Sequence, residues 1–80
     1  MATGTKETIR ATTLDELAAA GALVKGTVVY VRSWRNELLR GVLTGWEPEG
    51  KNDRDLIDYV SDTGETLWAY VNQLEAFEKA

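Results

Sequence analysis

Leu38-Leu39-Arg40-Gly41-Val42-Leu43-Thr44-Gly45-Trp46 is the stretch on which the fold turns. Its branched and aromatic residues suit a pleated, half-buried surface, yet Gly41 and Gly45 interrupt it where side chains would pack. Glycines inside a strand mark a bulge or sharp bend, the device by which a small sheet curls toward a barrel. A short turn at Asn36-Glu37 separates this strand from an earlier one, Thr27-Val28-Val29-Tyr30-Val31-Arg32-Ser33-Trp34. Alternation along that earlier strand sends Val29 and Val31 inward and leaves Val28, Tyr30, Arg32 and Trp34 on a partly exposed face.

Downstream, Pro48, Gly50, Asn52 and their charged neighbours read as a solvated loop, followed by a third strand, Leu56-Ile57-Asp58-Tyr59-Val60. Asp62-Thr63-Gly64 is a tight-turn signal, and Glu65-Thr66-Leu67-Trp68-Ala69-Tyr70-Val71 follows as a fourth strand hairpinned to the third. On it Leu67, Ala69 and Val71 suit the core, while Trp68 and Tyr70 point outward near Tyr59 or Tyr30. Asn72-Gln73-Leu74 reads as a single 3₁₀ turn before a last strand, Glu75-Ala76-Phe77, whose Phe77 closes the core. Upstream, Thr13 and Glu16 match a capping box and Gly21 supplies a left-handed stop, so a short helix is expected within residues 12–21, with Leu14, Leu17 and Ala18 on one face. Residues 1–11 are Thr-rich and without periodicity, and read as a flexible tail in which Ile9 is the residue able to dock. The expected organisation is that tail, then one domain over 12–80 in which a five-stranded barrel occupies 26–77.

Composition narrows the chemistry. Eighty residues hold one core, and a chain 44% hydrophobic and 28% charged belongs with soluble globular domains. Without cysteine or histidine there are no disulfides, thiolate nucleophiles, imidazole bases or soft zinc ligands. Ser33 and Ser61 have no base to activate them, and no carboxylate pair stands at a defined separation, so neither catalysis nor a cofactor is expected. The net charge is −4 and argues against a dominant phosphate-backbone partner. Within 47–65, Glu47, Glu49, Asp53, Asp55, Asp58, Asp62 and Glu65 outnumber Lys51 and Arg54 and leave a net −5. EF-hand spacing fails there, since Gly64 stands twelfth from Asp53, so the acids read as a solubilising surface and no metal is expected. No 18-residue apolar run and no signal-peptide pattern appears, and the expected setting is cytoplasmic, away from membranes.

Five short strands with a bent second strand, a tight hairpin between the third and fourth, and a one-turn helix before the fifth resemble an SH3-like barrel. Gly26, Val28 and Val31, then Gly41, Leu43, Gly45 and Trp46, then Tyr59-Val60, Gly64, Tyr70-Val71 and Leu74-Glu75 carry the resemblance. It implies a mainly β fold, an SH3-like five-stranded barrel preceded by a short N-terminal helix. The same landmarks also resemble the type II, plasmid-borne dihydrofolate reductases, small barrels that work as a tetramer around one pore. The likeness departs at the pore motif Val-Gln-Ile-Tyr: matching Tyr70 to its tyrosine places Trp68 where the glutamine belongs, and Gln73 falls three positions late. An indole there would fill the pore and lacks the amide's acceptor.

Three of the seven aromatics are tryptophans, and a domain this small can bury one or two indoles, each covering ~150–250 Å². At least one is therefore expected at the surface. Tyr30, Trp34, Tyr59, Trp68 and Tyr70, with Arg32 and Arg35 at the rim, form the expected site of a non-catalytic interaction module. Its expected partner is a protein or peptide, or a second copy of the chain; sequence leaves the choice between ligand site and oligomer face open. A nucleic-acid reading of Arg32, Arg35 and Arg40 with Tyr30 and Trp34 as stacking surfaces stands against ordinary pairing of those arginines with carboxylates, which the acidic total favours.

Overall fold

A computed structural model describes residues 6–79. The chain is mainly β: strands β1 (Glu7–Thr8), β2 (Val28–Arg32), β3 (Leu38–Lys51), β4 (Arg54–Ser61), β5 (Thr66–Tyr70) and β6 (Leu74–Glu78), with helix α1 (Leu14–Ala19) and a 3₁₀ turn at Val71–Gln73. The six strands form one antiparallel sheet in the order β1-β6-β2-β3-β4-β5. The sheet is open, with β1 and β5 at its two ends.

The long β3 organises the sheet. Its pairing with β4 shifts register between Leu43 and Gly45 and again between Glu47 and Lys51. At the second shift Pro48, Glu49 and Gly50 stand opposite Asp55 alone. The Asp55 carboxylate resolves this bulge: Oδ1 accepts the Glu49 N–H at 2.9 Å and Oδ2 accepts the Leu14 N–H at the start of α1 at 2.8 Å. One side chain thus ties the β3–β4 ribbon to the helix. Those two backbone N–H groups, Leu14 before Glu49, hold the Asp55 carboxyl below the ordinary carboxylate range.

The loop expected around Pro48, Gly50 and Asn52 is therefore replaced by continuous strand closed by a two-residue turn. Asn52 and Asp53 form it in the left-handed region, at φ of 52° and 56°, a conformation their short polar side chains tolerate. Proline and glycine read as strand breakers in sequence, but within a bulge a missing N–H and a missing side chain are accommodated. A Cβ on Gly50 would stand 2.7 Å from Leu56 Cδ2.

Helix α1 begins as expected. Thr13 is its N-cap, its hydroxyl accepts the Glu16 N–H at 3.2 Å, and the Glu16 carboxylate accepts the Thr12 and Thr13 N–H groups. Gly21 follows with a left-handed φ of 80°. Of the tail expected over 1–11, residues 1–5 lie outside the described residues; Ile9 packs against the core as the residue able to dock, while Glu7–Thr8 forms a strand that was not expected. Glu7–Thr8 pairs with Phe77 and Ala76 of β6, and the Ile9 N–H reaches the Glu75 carbonyl at 3.0 Å. The free edge of β6 supplies the backbone partners that local sequence could not reveal.

The core lies on one face of the sheet under α1. It comprises Val29 and Val31 of β2, Leu43 of β3, Ile57 and Tyr59 of β4, Ala69 of β5, Val71, Leu74 and Phe77, sealed by Leu14 and Leu17 of the helix. The inward assignment of Val29 and Val31 from alternation, and of Phe77 as the residue that closes the core, agrees with this arrangement. Among the described residues no helix is long and apolar enough to cross a membrane.

Candidate partner-binding site

The opposite face of β5 carries the aromatic residues that the core does not absorb. Trp68 and Tyr70 alternate with buried Ala69, so both leave the core side. Their rings meet edge to face, with centroids 5.2 Å apart at 84°. Trp34, in the β2–β3 turn, approaches Tyr70 in the same manner at 6.4 Å and 87°. Edge-to-face contact sets the positive rim of one ring against the negative face of another and holds the group in a defined shape. Trp34 is 80% exposed and Trp68 41%, whereas Tyr70 is only 6% exposed and forms the floor between them.

Two clamps fix that floor. Gln73 Oε1 accepts the Tyr70 N–H and Gln73 Nε2 donates to the Arg32 carbonyl, both at 3.0 Å, which binds the end of β5 to the end of β2 and brings Trp34 beside Tyr70. From the tip of the β3–β4 ribbon, Asn52 Nδ2 donates to the Tyr70 hydroxyl at 2.8 Å. The same tip places the Arg54 guanidinium 4.3 Å from the Tyr70 ring centroid and the Lys51 ammonium 5.0 Å from that of Trp68. The site is thus an exposed indole pair on a buried phenol, flanked by two cations.

Not every expected residue belongs to it. Tyr59 is in the core at 2% exposure, because it pairs with Leu43 and Leu67 on the inner face; burial also pushes its phenol above the ordinary value. Tyr30 lies on the outer face in a different polar setting, donating to Glu78 Oε2, opposite Arg40 and with Lys6 4.4 Å from its ring centroid. Arg32 makes a two-pronged bond with Glu75, Nε and Nη2 each at 2.9 Å, which lowers the Glu75 carboxyl pKa and raises that of the guanidinium. Arg40 pairs with Asp62 at 3.0 Å. Two of the three arginines of the nucleic-acid reading are therefore already engaged with carboxylates. Arg35 is exposed, one residue past Trp34.

Asn52, Lys51, Arg54 and Gln73 were not expected here. Their one local signal was the spacing of Gln73 from Tyr70, three positions, which is that of a side chain reaching back to the backbone before a 3₁₀ turn. The ribbon-tip residues depend on the bulge in β3, which only the three-dimensional register reveals. Tyr70 and Arg54 also border an open cleft of about 810 Å³ between the start of α1 and the ribbon, with Leu14, Trp46, Asp55 and Asn72 among its walls. Among the described residues no group of three or more acidic side chains is placed to hold a metal ion. No family model, curated protein or solved structure matches this chain.

Proposed function

We propose that the protein is a non-catalytic interaction module that takes a protein or peptide partner on Trp34, Trp68 and Tyr70. The observation that carries this reading is Trp34, an indole 80% exposed yet held edge-on against a buried tyrosine. An exposed tryptophan costs solvation, and one that is also positioned resembles the aromatic anchors that dominate interfaces. Lys51 and Arg54 beside the rings favour partners that bring carboxylates or carbonyl oxygens to the rim.

The SH3-like barrel is the architectural half of the same proposal. The run β6-β2-β3-β4-β5, the bent β3 and the 3₁₀ turn between β5 and β6 support it. The type II reductase likeness gains no support at its critical position, where Trp68 occupies the place of the pore amide.

Selection of a displayed random-peptide library on the wild-type chain, with counter-selection on Trp34→Ala, tests the reading. Enrichment of sequences that bind wild type and lose at least tenfold on Trp34→Ala is the expected result. Peptides that bind both chains equally would remove Trp34 from the site.

A further inference from the structure

Tyr70 belongs to the aromatic site, yet only 6% of it is exposed. A partner can touch its ring only when what lies over it moves. Trp34 and Trp68 meet the ring edge to face, and further cover comes from the tip of the β3–β4 ribbon. There Asn52 Nδ2 donates to the Tyr70 hydroxyl at 2.8 Å, the Arg54 guanidinium lies 4.3 Å from the Tyr70 centroid, and the Lys51 ammonium lies 5.0 Å from that of Trp68. The protein's own cations thus occupy ring faces that a partner would use.

The tip is attached in a way that lets it move. Regular pairing of β3 with β4 stops at Glu47 and Leu56 and resumes at the pair Lys51–Arg54, and between them Pro48, Glu49 and Gly50 stand opposite Asp55 alone. Pro48 has no N–H to give, and the Glu49 N–H goes to the Asp55 side chain, so this step is held by a carboxylate rather than by a ladder. Residues 51–54 are all exposed, and none of them belongs to the core. The open cleft of about 810 Å³ on the α1 side of the ribbon leaves the tip space to swing on the bulge as a hinge.

We propose that the ribbon tip is a latch on the partner site, closed in the free protein by Asn52, Arg54 and Lys51 and opened when a partner takes the faces of Tyr70 and Trp68. This inference rests on the reading that Trp34, Trp68 and Tyr70 form the partner site, and adds how access to that site is controlled. Opening gives up the Asn52 hydrogen bond and both cation–ring contacts, so the apparent affinity is the intrinsic one reduced by the fraction of molecules that are open. A partner carboxylate at the rim gives Lys51 and Arg54 a new contact once they leave the rings.

Asn52→Gly and Tyr70→Phe remove the same hydrogen bond from its two ends. Glycine suits the left-handed φ of 52° at position 52, and phenylalanine keeps the ring. Each variant is expected to bind a peptide selected on the wild-type chain roughly two- to tenfold more tightly, the ratio one net hydrogen bond supplies, and the double variant no more tightly than either. In the free protein, photochemically induced nuclear polarisation with a flavin dye marks accessible tyrosines. It is expected to show Tyr70 more strongly in Asn52→Gly than in wild type, with buried Tyr59 silent in both. Should Asn52→Gly unfold by circular dichroism, peptide binding by Tyr70→Phe decides. Binding that is unchanged or weaker in the folded variants overturns the proposal, and so does an unchanged Tyr70 signal in Asn52→Gly. A peptide indifferent to Trp34→Ala would instead remove the reading of the site, while the Tyr70 signal would still decide whether the tip opens.

Discussion

Gly41 and Gly45 look alike in the sequence but differ in what their missing side chains permit. A Cβ at Gly41 would lie 2.6 Å from the Val60 carbonyl oxygen and 2.6 Å from the Tyr59 ring, whereas one at Gly45 would meet only Asp58 Oδ2 at 3.6 Å. Gly41→Ala is therefore expected to lose about 1–3 kcal/mol by forcing β3 away from β4, and Gly45→Ala to stay within ~0.5 kcal/mol of wild type, both measured by urea unfolding. Thr27 offers the converse case. It is fully buried, and its hydroxyl has no partner among the described residues. Thr27→Val should be neutral or stabilising by roughly 1 kcal/mol, because it removes an unpaired polar atom while keeping the shape. A clear loss of stability would mean that the hydroxyl is satisfied. The aromatic residues divide on the same principle: Tyr59→Ala is expected to cost about 3–5 kcal/mol as a core cavity, and Trp34→Ala less than ~1 kcal/mol. Trp34 was legible by its place beside a turn, past the end of β2 at Arg32, and Trp68 by alternation. Alternation could not place Tyr59, because the phase of β4 relative to the core depends on its partners Leu43 and Leu67.

At the scale of elements, the helix was legible almost residue by residue, since a capping box is a local signal. Thr13→Ala should remove about 1 kcal/mol of stability by freeing the Glu16 N–H. The ribbon was not legible, because its bulge is held by Asp55, whose partners at Glu49 and Leu14 come from two other segments. That arrangement carries a pH signature. Asp55, Glu16 and Glu75 all have carboxyl pKa values lowered in the folded protein, Asp55 and Glu16 mainly by backbone N–H groups and Glu75 mainly by Arg32. Near and below pH ~4 the unfolded chain binds more protons at these groups than the folded one. Their stabilisation is thus complete above the ordinary carboxylate range and is lost as pH falls through the lowered folded values. Urea unfolding from pH 7 to pH 3 should show stability declining on the acid side, with a shallower decline in Asp55→Asn. An identical slope in that variant would show that Asp55 does not carry the linkage.

For the whole molecule, composition and the missing cysteine and histidine limited the chemistry, and the succession β2 to β6 was legible from the strand runs and the turn signals between them, whereas β1 and the pairing order in the sheet were not. What sequence could not supply was closure. Whether a bent sheet seals depends on which edges meet, and among the described residues β1 takes the β6 edge while β5 pairs with β4 alone. The same long-range geometry assembles the surface site, since Trp34, Trp68 and the ribbon tip come from three separate segments that meet over Tyr70. The three indole N–H groups offer a direct view of that surface. Trp46 is partly buried against the core, while Trp34 and Trp68 are exposed. In a nitrogen-15 correlation spectrum, titration with a peptide selected on the wild-type chain should move the indole signals of Trp34 and Trp68 and the backbone signal of Tyr70, leaving Trp46 in place. Binding that moves Trp46 and the core while leaving Trp34 and Trp68 unshifted would contradict the assignment of this face as the partner site.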